Sequence, residues 1–305
     1  MGLRFGLLGT GHWAVATQGA ALAAHQDAEF VGVWGRDPAK AHAVATRYGV
    51  RAYPEVDALL RDVDAVAVAL PPDVQAELAV RAAEAGRHLL LDKPLALSWA
   101  RAHAVVDAVR RRDLASLVFF TARFQPNVAA FLADAVRAGD WHGARVTHFG
   151  SIFESGGPYA GSTWRREWGG LWDVGPHALA LLLPVLGPVV EVRAVDGPRS
   201  TTHLLLCHDG GAVSTASLTV DAPAASTANE VVFHGPAGFV TVPPGEGRPV
   251  EAFGTAISDL IAAVADGRVE DPRDVHFGRA VVGVLEAAEQ ARRTGRAVAV
   301  PPERR

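Results

Sequence analysis

Two short runs, "VDAVAVAL" at 63–70 and "HLLLD" at 88–92, are apolar on nearly every residue. A strand with one wet face alternates apolar and polar residues. A strand apolar on both sides must be covered on both sides. Each run is followed by a helix-like stretch, 71–86 ending at Gly86 and then 98–112. The same alternation occurs upstream. "LRFGLLG" (3–9) and "EFVGVWG" (29–35) read as strands, with helices over 13–25 and 37–49. Asp37 suits the N-cap of the latter, Pro38 its first turn and Gly49 its end. Buried strands alternating with helices imply an α/β class with a doubly wound parallel sheet of the Rossmann type.

The pattern changes after about residue 115. "ASLVFFTARF" (115–124) reads as a strand and 127–138 as a helix. Strand-like runs then follow at 143–153, 188–196, 201–208, 212–220, 229–235 and 238–242, with 220–230 a turn-rich connection. Consecutive strands with few helices predict a mostly antiparallel sheet. Two helices are expected over 251–267 and 275–295, then a loose tail at 301–305. The expected organisation is a nucleotide-binding domain over 1–120 and a second α/β domain over 121–305, its final helices free to pack back on the first.

The chain has 305 residues, a formal net charge of −4 and no basic block, so nucleic acid is not the expected partner. Cys207 is the only cysteine, which leaves no intrachain disulfide and no cysteine cluster. The start "MGLRFGLLGTG" lacks the pattern of a signal peptide. No apolar run reaches the roughly 18 residues of a membrane span, and the longest candidate, 179–190, is broken by Pro184 and Gly187. The expectation is a cytoplasmic protein with a small-molecule substrate.

"GTGHWA" (9–14) joins the first strand to the first helix as G-x-G-x-x-A, a form of the dinucleotide fingerprint. Gly9 allows a tight turn, Gly11 clears space for a pyrophosphate, and Ala14 lets the helix pack on the sheet. Thr10, His12 and Trp13 lie in the same turn, whose helix N-terminus offers N–H groups to phosphate. An NAD site usually carries an acid after the second strand, for the ribose 2′-hydroxyl. Here Gly35 and Arg36 stand there. Without the acid there is no repulsion of a 2′-phosphate, and an arginine can pair with it. The expected cofactor is NADP(H), with NAD(H) possible. Alternatively, Arg36 is an ordinary surface charge and Asp37 reaches the ribose.

Lys93 is one of two lysines in a chain with 29 Lys and Arg combined. It ends a sheet strand, where ligands of open α/β sheets bind. A compact ammonium there is a candidate chemical group; a strand-end lysine capping a loop is the simpler reading. Asp173 and His177 are four apart, a spacing that shares one face of a helical turn. A carboxylate beside an imidazole suits proton transfer to or from a hydroxyl. The pair also suits two metal ligands, but with no third in support no metal is expected. A capping Asp and a structural His are the plain alternative.

Taken together these residues resemble the Gfo/Idh/MocA oxidoreductases along nearly the whole chain. The family's E-K-P motif appears as Asp92-Lys93-Pro94, its D-x-G-x-H motif as Asp173-Val174-Gly175-Pro176-His177, and its R-F-x-P element as Arg123-Phe124-Gln125-Pro126. A Trp164-Arg165 pair upstream, "AGRHLLLDKPLALS" and "LEAAEQARRTGRAV" also match. The resemblance implies a second domain with a large open-faced sheet that makes a homodimer or homotetramer, and often a cis Lys93–Pro94 bond. It implies that His177 takes the hydroxyl proton, Lys93 hydrogen-bonds the reacting oxygen, and Asp173 positions substrate and tunes both. Cofactor contacts are expected from the fingerprint turn, Gly35, Arg36, the Leu70-Pro71-Pro72 turn, Asp92, Lys93, Trp164 and Arg165. Arg123 and Trp172 are expected toward substrate.

The chain departs from the family where Asp92 replaces Glu, Gln75 replaces a common His, and Ala180 replaces a common Asp three residues after the motif His. The last change argues against a polyol-like substrate. Trp13, Trp164, Trp168 and Trp172 either line an apolar pocket or fill core. The expected activity is NADP(H)-dependent hydride transfer between nicotinamide and a hydroxyl or carbonyl carbon of a small, sugar-derived or cyclic compound. A non-catalytic NADPH sensor and a redox-neutral enzyme with tightly bound cofactor are the alternatives.

Overall fold

A computed structural model describes residues 2–153, 157–236 and 238–302. The last three residues of the expected tail lie outside this range. The chain forms two compact units, one of Met1–Gln125 with Gly247–Arg279, the other of Pro126–Glu246 with Ala280–Arg305.

In chain order the first unit begins β1 (Leu3–Leu8), α1 (Ala14–Ala24), β2 (Ala28–Trp34), α2 (Pro38–Tyr48), β3 (Arg51–Tyr53), α3 (Val56–Asp62), β4 (Ala65–Val68), α4 (Pro72–Glu84), β5 (His88–Asp92), α5 (Trp99–Arg111) and β6 (Ser116–Phe119). Next come α6 (Pro126–Ala138), β7 (Gly143–Phe149), α7 (Thr163–Asp173), α8 (Gly175–Leu186), β8 (Val189–Gly197), β9 (Thr201–His208), β10 (Val213–Thr219), β11 (Ala228–Gly235) and β12 (Gly238–Thr241). The chain closes with α9 (Pro249–Ala265), α10 (Val275–Thr294) and β13 (Val298–Ala299).

Among the described residues six strands form a parallel sheet in the order β3-β2-β1-β4-β5-β6. All four residues of β4 are fully buried, as expected of a strand covered on both faces. The order reverses between β1 and β4, the switch point where such sheets bind ligands. Local signals act as expected at α2. Asp37 accepts from the Ala39 and Lys40 N–H groups, and Gly49 closes the helix at φ 67°. The first helix differs from expectation, because Ala14–Gly19 winds as a π-helix. Gln18 is fully buried inside this wide segment and donates to the Val68 carbonyl of β4.

The observed division differs from a cut at 120. Thr121–Phe124 form a 3₁₀ turn that stays, with Gln125, in the first unit, and α9 joins it. The reason is apolar. Phe253 of α9 meets Phe119 edge-on at 4.8 Å, and Ala256, Ile257 and Leu260 enter one core with Phe5, Leu7 and Leu90. Helix α10 begins in the first unit and continues in the second.

The second unit holds seven strands in the order β12-β11-β7-β10-β9-β8-β13 among the described residues. Only β7 and β10 pair in parallel; the other neighbours are antiparallel. One face is buried, with Val146, Leu204, Leu206, Ala216, Leu218, Val231 and Phe233. Helix α8 is apolar nearly all round and adds Leu179, Leu181 and Leu182 to this core. The stretch Thr163–Leu186 is long and apolar enough by composition to cross a membrane. It is mostly buried inside the unit and broken at Gly169 (φ 61°, ψ −161°), which marks it as core.

Candidate active site

The turn after β1 is shaped by contacts that leave no room for side chains. Gly9 has φ 138°, and a Cβ there would lie 2.4 Å from the Ala69 carbonyl oxygen. Its N–H donates to the Trp34 carbonyl at 2.9 Å, so the turn is tied to the end of β2. Ala14 is buried against the sheet. Gly11 is different: it is exposed, and a Cβ there would meet nothing within 4 Å. Packing does not require this glycine; its bareness leaves space outside the chain, where the fingerprint places a pyrophosphate. His12 is exposed and Trp13 half-buried, with Trp13 Nε1 buried and unpartnered among the described residues. An orphaned buried donor costs about 1–3 kcal/mol, and a bound acceptor would relieve it. Open space at Gly11 and an idle donor at Trp13 both fit a dinucleotide.

At the end of β2, Gly35 is buried and Arg36 exposed. The Asp37 carboxylate is occupied as the cap of α2. Leu70 and Pro71 lie half-buried after β4, and Pro72 opens α4.

Asp92 ends β5 and Lys93 opens the turn after it, both half-buried. Asp92 Oδ1 accepts from the Lys93 N–H at 2.8 Å, and the Lys93–Pro94 peptide is cis. Gln75, fully buried on α4, grips this turn from beneath. Its Nε2 donates to the Asp92 carbonyl at 2.7 Å and the Pro94 carbonyl at 3.1 Å, while its Oε1 accepts from the Asp92 N–H at 2.9 Å. Sequence reasoning treated Gln75 only as a departure. A buried amide satisfied from both ends is a positioning device, and the signal was a polar residue on the apolar face of α4.

Arg123 is buried in the first unit, donating to the Pro272 carbonyl at 2.9 Å and lying over the Phe277 ring at 4.6 Å. Burial, helped by the nearby Arg273 charge and opposed by Asp271, pulls its guanidinium down to about 10. Its contacts there are structural ones.

In the second unit, α7 ends on Asp173 and α8 brings His177 in its first turn, so the two sit either side of the Val174 junction. Asp173 is buried, and Arg165 Nε donates to its Oδ2 at 3.0 Å. Arg165 also lies over the Tyr159 ring at 4.3 Å and the Trp164 ring at 4.9 Å. The arginine expected at cofactor is thus an ion-pair partner of the motif acid. A second imidazole, His148 on β7, stands 6.1 Å from His177 between ring centroids. Sequence reasoning missed it, because only the fold brings β7 beside α8. Trp172 is fully buried, edge-on to Trp168 at 5.5 Å, with Nε1 unpartnered among the described residues. Of the two readings for Trp172, core is the one observed. Among the described residues no three His, Cys, Asp or Glu side chains group as metal ligands.

This unit thus offers a buried, charge-paired carboxylate and, four residues on across the helix junction, an imidazole. The first offers a glycine turn at the switch point and a lysine on a pinned loop. The profile described as "Oxidoreductase family, NAD-binding Rossmann fold" (GFO_IDH_MocA) matches residues 3–120. A dTDP-3,4-didehydro-2,6-dideoxy-alpha-D-glucose 3-reductase of Streptomyces violaceoruber is 30% identical over 311 residues, covering 96% of this chain and 86% of the reductase. The chain belongs to the Gfo/Idh/MocA oxidoreductase family. Another relative, an uncharacterized oxidoreductase (ORF334) of Rhizobium meliloti, is 38% identical over 108 residues, 34% of this chain and 32% of that protein. The chain also shares its fold with a levoglucosan dehydrogenase solved with NADH and levoglucosan. That structure has a TM-score of 0.86 at 21% identity, over 99% of this chain and 100% of the other.

Proposed function

We propose that this Gfo/Idh/MocA member is an NADP(H)-dependent oxidoreductase acting on a hydroxyl or carbonyl carbon of a small, sugar-derived or cyclic substrate. The observation that carries the reading is the Asp173 carboxylate, buried and charge-paired with Arg165, at the helix junction that presents His177. A proton relay has little use in a protein that only senses a nucleotide. The dTDP-sugar reductase and the levoglucosan dehydrogenase are named for sugar compounds, which supports the substrate class.

The nucleotide is held by the Gly9–Trp13 turn, Gly35 and Arg36, the Leu70-Pro71-Pro72 turn and Asp92. When bound, the nicotinamide supplies the donor or acceptor of the hydride. In the oxidising direction His177 Nε2 or Nδ1 accepts the hydroxyl proton; in reduction it returns it. Lys93 Nζ donates a hydrogen bond to the reacting oxygen and stabilises negative charge there. Asp173 orients His177. The absence of an acid at position 35, together with Arg36, supports NADP(H) over NAD(H).

A second copy of the chain is the proposed partner, docking on the outward face of the second sheet. Strand registers put Val195, Leu205, Val213 and Phe239 on that one face, and all four are exposed.

Steady-state assay with NADPH against a panel of keto-sugars and cyclic ketones tests the reading. Wild type is expected to turn over at least one. His177→Asn is expected to lose about 100-fold or more in kcat while nucleotide binding, followed by tryptophan fluorescence, is kept. Nucleotide binding without turnover of any carbonyl or alcohol would favour the sensor instead.

A further inference from the structure

Gly35 poses a question that the fingerprint does not answer. It is buried, and its φ is not in the left-handed region, so the backbone alone does not demand glycine. The three atoms nearest to a Cβ there all belong to one side chain: Thr10 Cγ2 at 2.5 Å, Oγ1 at 3.0 Å and Cβ at 3.3 Å. The register brings the two together, because β1 and β2 run parallel with Leu8 opposite Trp34, and Gly9 is bonded to Trp34. Threonine is stiff about χ1, and turning it does not move its Cβ. Position 35 is therefore crowded for any larger residue while Thr10 stands in this rotamer, and its fixed Cβ stays tight at 3.3 Å in any other.

We infer that Thr10 and Gly35 form a paired cofactor selector, in which the Thr10 side chain occupies the space an acidic side chain would leave position 35 through. The inference rests on the reading of the first unit as a dinucleotide site and deepens it. An acid at 35 would accept from a ribose hydroxyl and repel a 2′-phosphate. Thr10 fills that space with its methyl and sets a neutral hydroxyl beside it. A hydroxyl donates to a phosphate oxygen, and a carboxylate does not. Arg36, exposed beside it, adds the cation that a phosphate seeks. The preference for NADP(H) is thus built into the β1–α1 turn as well as the end of β2. A single exchange at position 35 does not reverse it.

The test is a four-protein cycle of wild type, Thr10→Ala, Gly35→Asp and the double variant. Melting temperature is measured without nucleotide, and NADPH and NADH are each titrated by tryptophan fluorescence. Gly35→Asp alone is expected to melt several degrees below wild type and to bind both nucleotides poorly. Thr10→Ala in the same chain is expected to recover most of that melting temperature. It should also shift the NADH-to-NADPH preference by about tenfold or more toward NADH. Should Gly35→Asp fail to fold, Thr10→Ser and Thr10→Ala still decide the hydroxyl's part: the serine keeps NADPH affinity and the alanine loses several-fold. A Gly35→Asp protein that melts like wild type and prefers NADH unaided would overturn the selector and leave the dinucleotide site standing. So would a wild type that binds NADPH and NADH equally. Binding of neither nucleotide by wild type would remove the dinucleotide reading and the selector with it.

Discussion

The Arg165–Asp173 pair couples a stability role to a chemical one. Asp173 is almost wholly buried and Arg165 mostly so, which places their bond in a poorly screened setting. Removing one partner of a buried pair strands charge on the other. Arg165→Gln is expected to cost up to about 3 kcal/mol in urea unfolding, and to lower kcat more than it raises KM. A structural loss with kcat unchanged would separate Asp173 from the proton relay. A buried histidine in the second unit links stability to pH. His208 is buried, with Nδ1 donating to the Gly187 carbonyl and Nε2 facing Ser214 Oγ. Burial pushes its imidazole below the ordinary value. The unfolded chain then binds the proton more readily than the folded one, so stability holds above about pH 6.5 and falls as acid titrates the unfolded state. The fall levels off beneath the folded value. His88, half-buried in the first unit, shifts the same way. Melting temperature between pH 7 and 5 is therefore expected to decline less in His208→Gln than in wild type.

At the scale of elements, glycines decide how closely α7 approaches the second sheet. A Cβ at Gly170 would lie 2.5 Å from Thr219 Cα and 2.7 Å from its nitrogen, both backbone atoms of β10. Backbone cannot swing aside as a side-chain tip can. Gly170→Ala should therefore cost about 1–3 kcal/mol by overpacking and loosen the helix that ends on Asp173. Gly254, on α9 with nothing within 4 Å of its Cβ position, is the contrast. There an alanine is expected to be neutral or stabilising by up to about 1 kcal/mol. Chemical denaturation of the two variants side by side checks both. The 3-residue strand β3 and the short helix α3 had no distinct pattern in the sequence, and α7 was masked by its own glycines. Each is held by neighbours more than by propensity.

At the scale of the whole molecule, the second sheet presents one packed face and one open face. Leu205 is 37% exposed and Phe239 75% exposed on the open side, where water gains nothing from them. Under the proposed self-association, Leu205→Asp is expected to lower the sedimentation coefficient to that of a smaller species without lowering the melting temperature of the isolated subunit. A wild-type monomer at micromolar concentration would remove the proposal.

The sequence by itself determined the α/β class, the parallel order implied by apolar strands, and the family. These follow from local periodicity, capping and short motifs such as Asp92-Lys93-Pro94 and Asp173-x-Gly-x-His177, which a linear reading carries whole. What the chain could not reveal alone depends on residues far apart in number. Gln75 clasping the Lys93 turn, Arg165 held to Asp173, His148 beside His177, α9 returning to the first core and Thr10 filling the space over Gly35 are all juxtapositions. Only packing creates them, because a buried polar group or a clash has meaning only once its neighbour is in place.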